Sequence, residues 1–307
     1  EEFTFSPVNF GVVLHAVIRE VCDEIKKNGE SYYLISEEKR REMVKRSVAA
    51  ITDIYQNSIL KDSSRNSFMI KRMEDLADRT VWAMGEQLKC GDFVPFVFEH
   101  KFNMEVGDGD RKQLMSGTID RVDICENGTD VYVRIIDYKT GKKDFNIVKT
   151  YYGIDIQLMV YMEAAMKLVA KMRPGKNVIP AGVFYYNISD PIVSATTESA
   201  DEIEDKIKGE LRLKGMVNSD KDIAEKMDNT EGTSLNIPVS RKADGGFDSR
   251  RSKVMNTEQF NMLGRFVDVR AVDTADRIAG GDIRRSPYKD GQFSSCDRCP
   301  YGAVCGF

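Results

Sequence analysis

The spacing of hydrophobic and polar positions changes several times along this chain, and each change marks a predicted element. Over residues 8–27, Phe10, Leu14, Val17, Val21 and Ile25 recur at three- and four-residue steps, the spacing of one helix face. Residues 36–60 and 64–90 keep the helical period, with Met69, Met73, Leu76, Thr80 and Met84 as the second stripe and Gly91-Asp92 as the break. The charged run from Glu37 to Glu42 is expected to be a solvated helix face. Phe93–Phe102 has strand composition. The apolar runs 117–125 and 131–139 are joined by Glu126-Asn127-Gly128-Thr129, and Asn-Gly between alternating segments predicts an antiparallel hairpin. A helix over 151–171 and a strand over 178–188 follow, then a polar helical and loop-like stretch over 190–234. A second hairpin is expected over 235–255 around Asp244-Gly-Gly, and a helix from Asn256 carries Phe260, Leu263, Phe266, Val267 and Ala271. This order predicts a mixed α/β layer rather than a bundle. We expect a core over 1–190 that includes the helical segment 36–90. An insertion or lobe over 191–255 and a C-terminal helix and cysteine tail over 256–307, packing back on the core, complete the division.

Alternation along the hairpin puts Asp137 and Lys139 on one face with Val131, Val133 and Ile135. If Asn127 and Gly128 are the turn residues, 126 pairs with 129, and Asp120 becomes the diagonal neighbour of Asp137 on that face. Asp123 falls on the other face with Arg121. An apolar face ending in two carboxylates and a lysine has either neutralised them by mutual pairing or bound a metal, because unpaired buried charge is costly.

Composition narrows the class. The chain has 307 residues, 41% hydrophobic and 31% charged, with a net charge of −4. No apolar run approaches the roughly 20 residues a bilayer span needs, and no signal-peptide pattern opens the chain. The charge does not advertise nucleic-acid binding, although a local basic groove would suffice. Six cysteines in a chain of this size do not resemble a disulfide framework, so a reducing, cytoplasmic setting is expected. The opening Glu1-Glu2-Phe3, without an initiator Met, is expected of a piece of something longer.

Several residues carry further chemistry. His15, one of two histidines, flanks the first apolar stripe. Gln157 and Tyr161 stand four apart on the helix after the hairpin and share a face. Glu99 and His100 could approach the acids, but strand-edge placement is the expected role. The tail reads Cys296-x2-Cys299-x5-Cys305, a metal or cluster signal that still wants a fourth ligand. That ligand is either one of Cys22, Cys90 and Cys125 or a residue upstream of Glu1.

His on a first helix, G-x-I-D at Gly117–Asp120, D-Y-K at Asp137–Lys139, Q-x3-Y at Gln157–Tyr161 and the cysteine tail form an ordered set. It resembles the RecB-like branch of the PD-(D/E)xK nuclease superfamily, and within it the AddB/RexB-type C-terminal nuclease domains. The resemblance implies an α/β, restriction-endonuclease-like fold: a mixed β-sheet core flanked by helices, with a helical and hairpin C-terminal extension. It implies a metal-dependent DNA exonuclease domain, a Mg²⁺- or Mn²⁺-dependent deoxyribonuclease serving recombinational repair of DNA double-strand ends. The catalytic set it implies is Asp120, Asp137 and Lys139. Asp120, Asp137, His15 and the Tyr138 carbonyl are the implied metal ligands, His15 tilting preference toward Mn²⁺. Gln157 and Tyr161 become substrate-binding residues, and Cys296, Cys299 and Cys305 three of four ligands of a 4Fe–4S cluster in the intact protein. Two alternatives are a CRISPR-associated-type iron–sulfur single-strand exonuclease and a non-cleaving DNA-end-binding module. No phosphate loop G-x4-G-K-[ST] is present, so unwinding implies a helicase/nuclease partner subunit of AddA/RexA type. Single-stranded DNA ends are expected to meet Lys142, Lys143, Lys149, Tyr151 and Tyr152, and Arg250 and Arg251.

Overall fold

The side chain of Ser6 accepts from the Asn9 N–H and Pro7 occupies the first turn, so α1 (Pro7–Lys27) starts where helix-start chemistry places it. The computed structural model describes residues 6–54, 64–106, 112–194, 199–291, 293–297 and 299–305. The predicted apolar stripe of α1 is buried throughout, and α2 (Glu37–Ile54) and α3 (Ser64–Lys89) pack beside it. Positions 55–60 of the expected second helix lie outside the described residues. The charged run opening α2 departs from expectation at one residue: Arg40 is buried and grips Asp78 of α3 at 2.7 and 3.3 Å.

A six-stranded mixed sheet runs β1 (Val94–Val106), β2 (Gln113–Asn127), β3 (Asp130–Lys139), β4 (Asn177–Asn187), β5 (Lys214–Asn218) and β6 (Val254–Met255), in that spatial order. The pairs β1–β2, β2–β3 and β4–β5 are antiparallel, whereas β3–β4 and β5–β6 are parallel. Parallel β3 and β4 require a crossover, supplied by α4 (Ile147–Tyr151) and α5 (Gln157–Met172). Here the expected helix 151–171 is divided: Gly153, at φ +75°, interrupts it and the long helix starts at Gln157.

Alternation along β3 splits the core in two. Tyr132, Ile136 and Tyr138 join the cluster under α1–α3. Val131, Val133 and Ile135 join the one under α5 and α8 (Thr257–Ala279), where Phe260 and Val267 are also buried. The mixed sheet flanked by helices agrees with the expected architecture.

The polar stretch 191–255 holds α6 (Ala200–Glu210), which buries none of its residues, and then β5 and α7 (Lys221–Met227). Composition concealed β5 because its contact depends on a glycine: a Cβ at Gly215 would lie within 3 Å of β4 backbone. Leu213, Val217, Ile223, Ile237 and Val239 from this stretch enter the first core cluster, so it is continuous with the core. The second expected hairpin reduces to an isolated bridge between Arg241 and Phe247, closed by Gly245 at φ +77°. The tail contains the two-residue strands β7 (Lys289–Asp290) and β8 (Phe293–Ser294) and a short α9 (Gly302–Cys305). Among the described residues, no helix is long and apolar enough to cross a membrane.

Candidate active site

Three adjacent strands bring acids to one level at one end of the sheet. Phe98 pairs with Arg121 and His100 with Ile119, which sets Glu99 level with Asp120. Arg121 pairs with Ile136, so one further step sets Asp120 level with Asp137, and Asp137 pairs with Tyr185 of β4. The expected register is corrected by two residues. Asn127 pairs with Asp130, and Gly128, in a left-handed conformation at φ +59°, begins the loop. Asn127 stays on the strand because its side chain is held by Tyr132 at 3.1 Å and Asp222 at 2.9 Å. A two-residue shift preserves the face, so Asp120 becomes the direct rather than the diagonal neighbour of Asp137.

His15 reaches this row from α1. Its Nδ1 lies 3.5 Å from Glu99 Oε1 and 3.4 Å from Asp120 Oδ1, and its ring stands edge-on to Tyr138 at 5.8 Å. Asp120 Oδ2 accepts the Tyr138 N–H at 2.6 Å, which locks the carboxylate's orientation. Lys139 Nζ forms an ion pair with Asp137 Oδ2 at 2.5 Å and donates to Gln157 Oε1 at 3.1 Å. Gln157 Nε2 in turn donates to the Tyr161 hydroxyl at 2.9 Å. The structure thus gathers His15, Asp120, Asp137, Tyr138, Lys139, Gln157 and Tyr161 at one place.

It also adds Glu99, whose expected role was strand-edge placement. The β1–β2 register that carries Glu99 to Asp120 is not readable from the chain, because a bulge at Pro95/Val97 shifts it. The backbone at Glu99 is left-handed, φ +47°, a strained conformation for a residue with a Cβ and one that clusters at functional sites.

The donor set fits a hard divalent cation. Ligand atoms of His15, Glu99 and Asp120 all lie within 4.8 Å of one another, with Asp137 alongside. Burial and then the charge of Asp120 push the Asp137 carboxyl up to about 6, against the pull of Lys139. Burial works against the His15 imidazolium, but hydrogen bonds and charges from Asp120 and Glu99 prevail and push it up to about 10. With His15 neutral as a ligand, three carboxylates face the single ammonium of Lys139, a deficit that one dication fills. Glu99→Gln is expected to weaken Mn²⁺ binding by at least the roughly 10–100-fold that loss of a metal site's supporting residues costs. Calorimetric titration checks this, and unchanged affinity would remove Glu99 from the site.

The tail cysteines do not complete a four-ligand cluster. Cys296 and Cys299 are exposed and Cys305 is partly so. Cys22 is buried with its Sγ 3.9 Å from Met84 Sδ, and burial pushes its thiol up; Cys125 is buried in the same core cluster. Cys90 neighbours Asp228, Asn236 and Thr230. Among the described residues the tail therefore offers three thiols, and a 4Fe–4S group held by them would take its fourth ligand from outside this cluster.

The patch expected to meet single-stranded DNA divides. Lys142 and Lys143 directly follow the site strand. Tyr151 instead stacks on Phe266 of α8 at 5.2 Å, Tyr152 packs on Tyr288 at 5.1 Å and Lys149 caps the Phe293 ring at 4.4 Å. Arg250 and Arg251 are exposed beyond β5.

Residues 1–306 match the family model of the PD-(D/E)XK nuclease superfamily. The chain is 33% identical over 316 residues to an ATP-dependent helicase/deoxyribonuclease subunit from Thermoanaerobacter sp. (strain X514). It is 34% identical over 316 residues to the protein of the same name in Caldanaerobacter subterraneus subsp. tengcongensis, and 33% over 315 residues to the one in Clostridium acetobutylicum. Each alignment takes in 99% of this chain, but the chain spans 27% of the length of each relative.

Proposed function

We propose, from the premise that this chain belongs to the PD-(D/E)XK nuclease superfamily, that it is the nuclease domain of a helicase–deoxyribonuclease subunit and hydrolyses phosphodiester bonds of DNA. The observation that carries the reading is the row Glu99, Asp120, Asp137 with His15 on one side and Lys139 on the other.

In this reading His15, Glu99, Asp120 and Asp137 hold a divalent cation, with the Tyr138 carbonyl as a further ligand. Bound there, Mg²⁺ or Mn²⁺ supplies a polarised water and neutralises charge at the scissile phosphate. The protein's own groups do the rest. Lys139, fixed between Asp137 and Gln157, orients the attacking water and meets the charge that develops on the phosphate oxygens. Gln157 and Tyr161 keep that ammonium in place through one chain of hydrogen bonds and present polar edges to the substrate. The Tyr138 N–H holds Asp120 in its ligating orientation. Duplex unwinding falls outside this stretch, and the name of the relatives, a helicase/deoxyribonuclease subunit, supports a helicase/nuclease partner of AddA/RexA type. The setting is processing of DNA double-strand ends for recombinational repair in the cytoplasm.

The test is incubation of an end-labelled single-stranded oligonucleotide with the chain and Mn²⁺, with and without a chelator. Degradation that stops on chelation is the expected result. Retardation on a gel without degradation in either arm would show a non-cleaving end-binding module instead.

A further inference from the structure

A cavity of about 1160 Å³ opens where the site strand ends. Thr140 and Gly141, immediately after Lys139, form one wall; Phe10, one helical turn and a residue before His15, lies at another; and the first half of α3 forms the far side. It exceeds the roughly 300–1,000 Å³ typical of small-molecule pockets. This trough adjoins the site at the end of β3, where Thr140 follows Lys139.

Charge in this trough is strongly one-sided once existing pairs are removed. Asp75 is held by Lys71 at 2.7 Å, Asp190 by Arg79 at 3.0 Å and Asp144 by Lys253 at 2.5 Å. Glu210 is the one lining acid without an ion pair among the described residues. Against it, Arg65, Arg72, Lys142 and Lys214 line the trough, and their side chains make no ion pair or hydrogen bond among the described residues. Four unneutralised cations therefore face one unneutralised acid. Phe68 projects among them with 65% of its surface exposed, an unusual position for a phenylalanine unless something covers it.

Unpaired cations spaced along a trough, with an exposed aromatic ring between them, are the chemistry that receives a single polynucleotide strand: phosphates on the cations, a base on the ring. We propose that the α3 trough is the path by which a single DNA strand reaches the carboxylates, with Arg65, Arg72 and Lys142 on its phosphates and Phe68 stacked on a base. The face carrying Tyr151 and Tyr152 is not that path, because Tyr151 is already stacked on Phe266 and Tyr152 is packed at a tilt against Tyr288. This rests on the nuclease reading but asks a separate question, which binding alone answers.

The experiment measures affinity of fluorescent oligo-dT of 4 and 20 nucleotides by anisotropy, with Ca²⁺ replacing the catalytic ion. The triple variant Arg65→Glu/Arg72→Glu/Lys142→Glu is compared with Lys27→Glu/Lys171→Glu/Lys242→Glu, three exposed cations outside the trough that change net charge equally. In the parent, the 20-mer binds more tightly than the 4-mer. The trough variant loses that length dependence, at least tenfold in Kd. Its slope of log affinity against log salt is shallower by about 0.7 per lost phosphate contact, about 2 in all. The control triple keeps both. Phe68→Ala alone weakens the 20-mer severalfold with little change in salt slope, since stacking is not an ion-exchange event. Equal losses in the two triples, or none in the trough variant, overturn the path. A parent chain that neither binds nor cuts either oligonucleotide overturns the nuclease reading itself. Circular dichroism melting of every variant separates these outcomes from unfolding.

Discussion

Replacing Lys139 with alanine is expected to slow single-turnover cleavage of a DNA oligonucleotide by about 100- to 1,000-fold, the range seen when one charge-stabilising donor is removed from a reaction centre. The folded chain should tolerate the change. Lys139 is 27% exposed, and its ion pair and hydrogen bond go only to Asp137 and Gln157, both within the site. Metal affinity should hold or rise, because the Asp137 carboxylate loses its ammonium partner while still facing the charge of Asp120. Asp137→Ala should abolish cleavage as well, but with loss of Mn²⁺ binding, since it removes a ligand rather than the group that meets the phosphate. Calorimetric titration beside single-turnover kinetics separates the two roles. Cleavage by Lys139→Ala within tenfold of the parent would end the assignment.

The second large effect lies behind the site and concerns stability. Asp123 is fully buried and accepts from Arg121 Nε and Nη2, both at 2.7 Å, and from Arg134 Nε at 2.8 Å. One carboxylate therefore serves two fully buried guanidiniums. Burial opposes its charge, but Arg121 and then Arg134 hold Asp123 below the usual carboxylate range. Burial, reinforced by the like charge of Arg121, pulls Arg134 below an ordinary arginine despite Asp123, and its guanidinium gains the Phe93 ring at 4.9 Å. Asp123→Ala leaves two like charges in the core and is expected to cost about 3–5 kcal/mol. That is a large share of the roughly 5–15 kcal/mol by which a domain is stable. Urea unfolding should show a lower midpoint at an unchanged slope. Asp123→Ala/Arg134→Met should recover part of the loss by removing one of the uncompensated cations; a loss below about 1 kcal/mol in the single variant would contradict the account. Because Arg121 adjoins Asp120 on β2, the same variant is also expected to loosen the carboxylate row.

Local chemistry was enough for much of this protein. The three- and four-residue stripe beginning at Phe10, the Asn127-Gly128 turn signal and the alternation through Val131, Val133 and Ile135 each depend on neighbours in the chain, and each appears as an element or a face in the structure. Even the two-residue error in the hairpin register left Asp120 on the right side, because side chains alternate with period two. What depended on partners distant in sequence was not legible. Glu99 joins the acids only through a bulged pairing with β2, β5 enters the sheet only because Gly215 lets its backbone close on β4, and Arg40 is buried only because Asp78 waits on α3. The α3 trough is of the same kind, since ion pairs formed across the fold decide which of its charges remain free. The sequence by itself determined the apolar stripes of the helices and the face of the hairpin that carries Asp120, Asp137 and Lys139, because propensity and periodicity are short-range. Only the tertiary structure decided which acids meet, which cations stay unpaired and where a strand could enter, because strand register and charge neutralisation are settled between elements far apart in the chain.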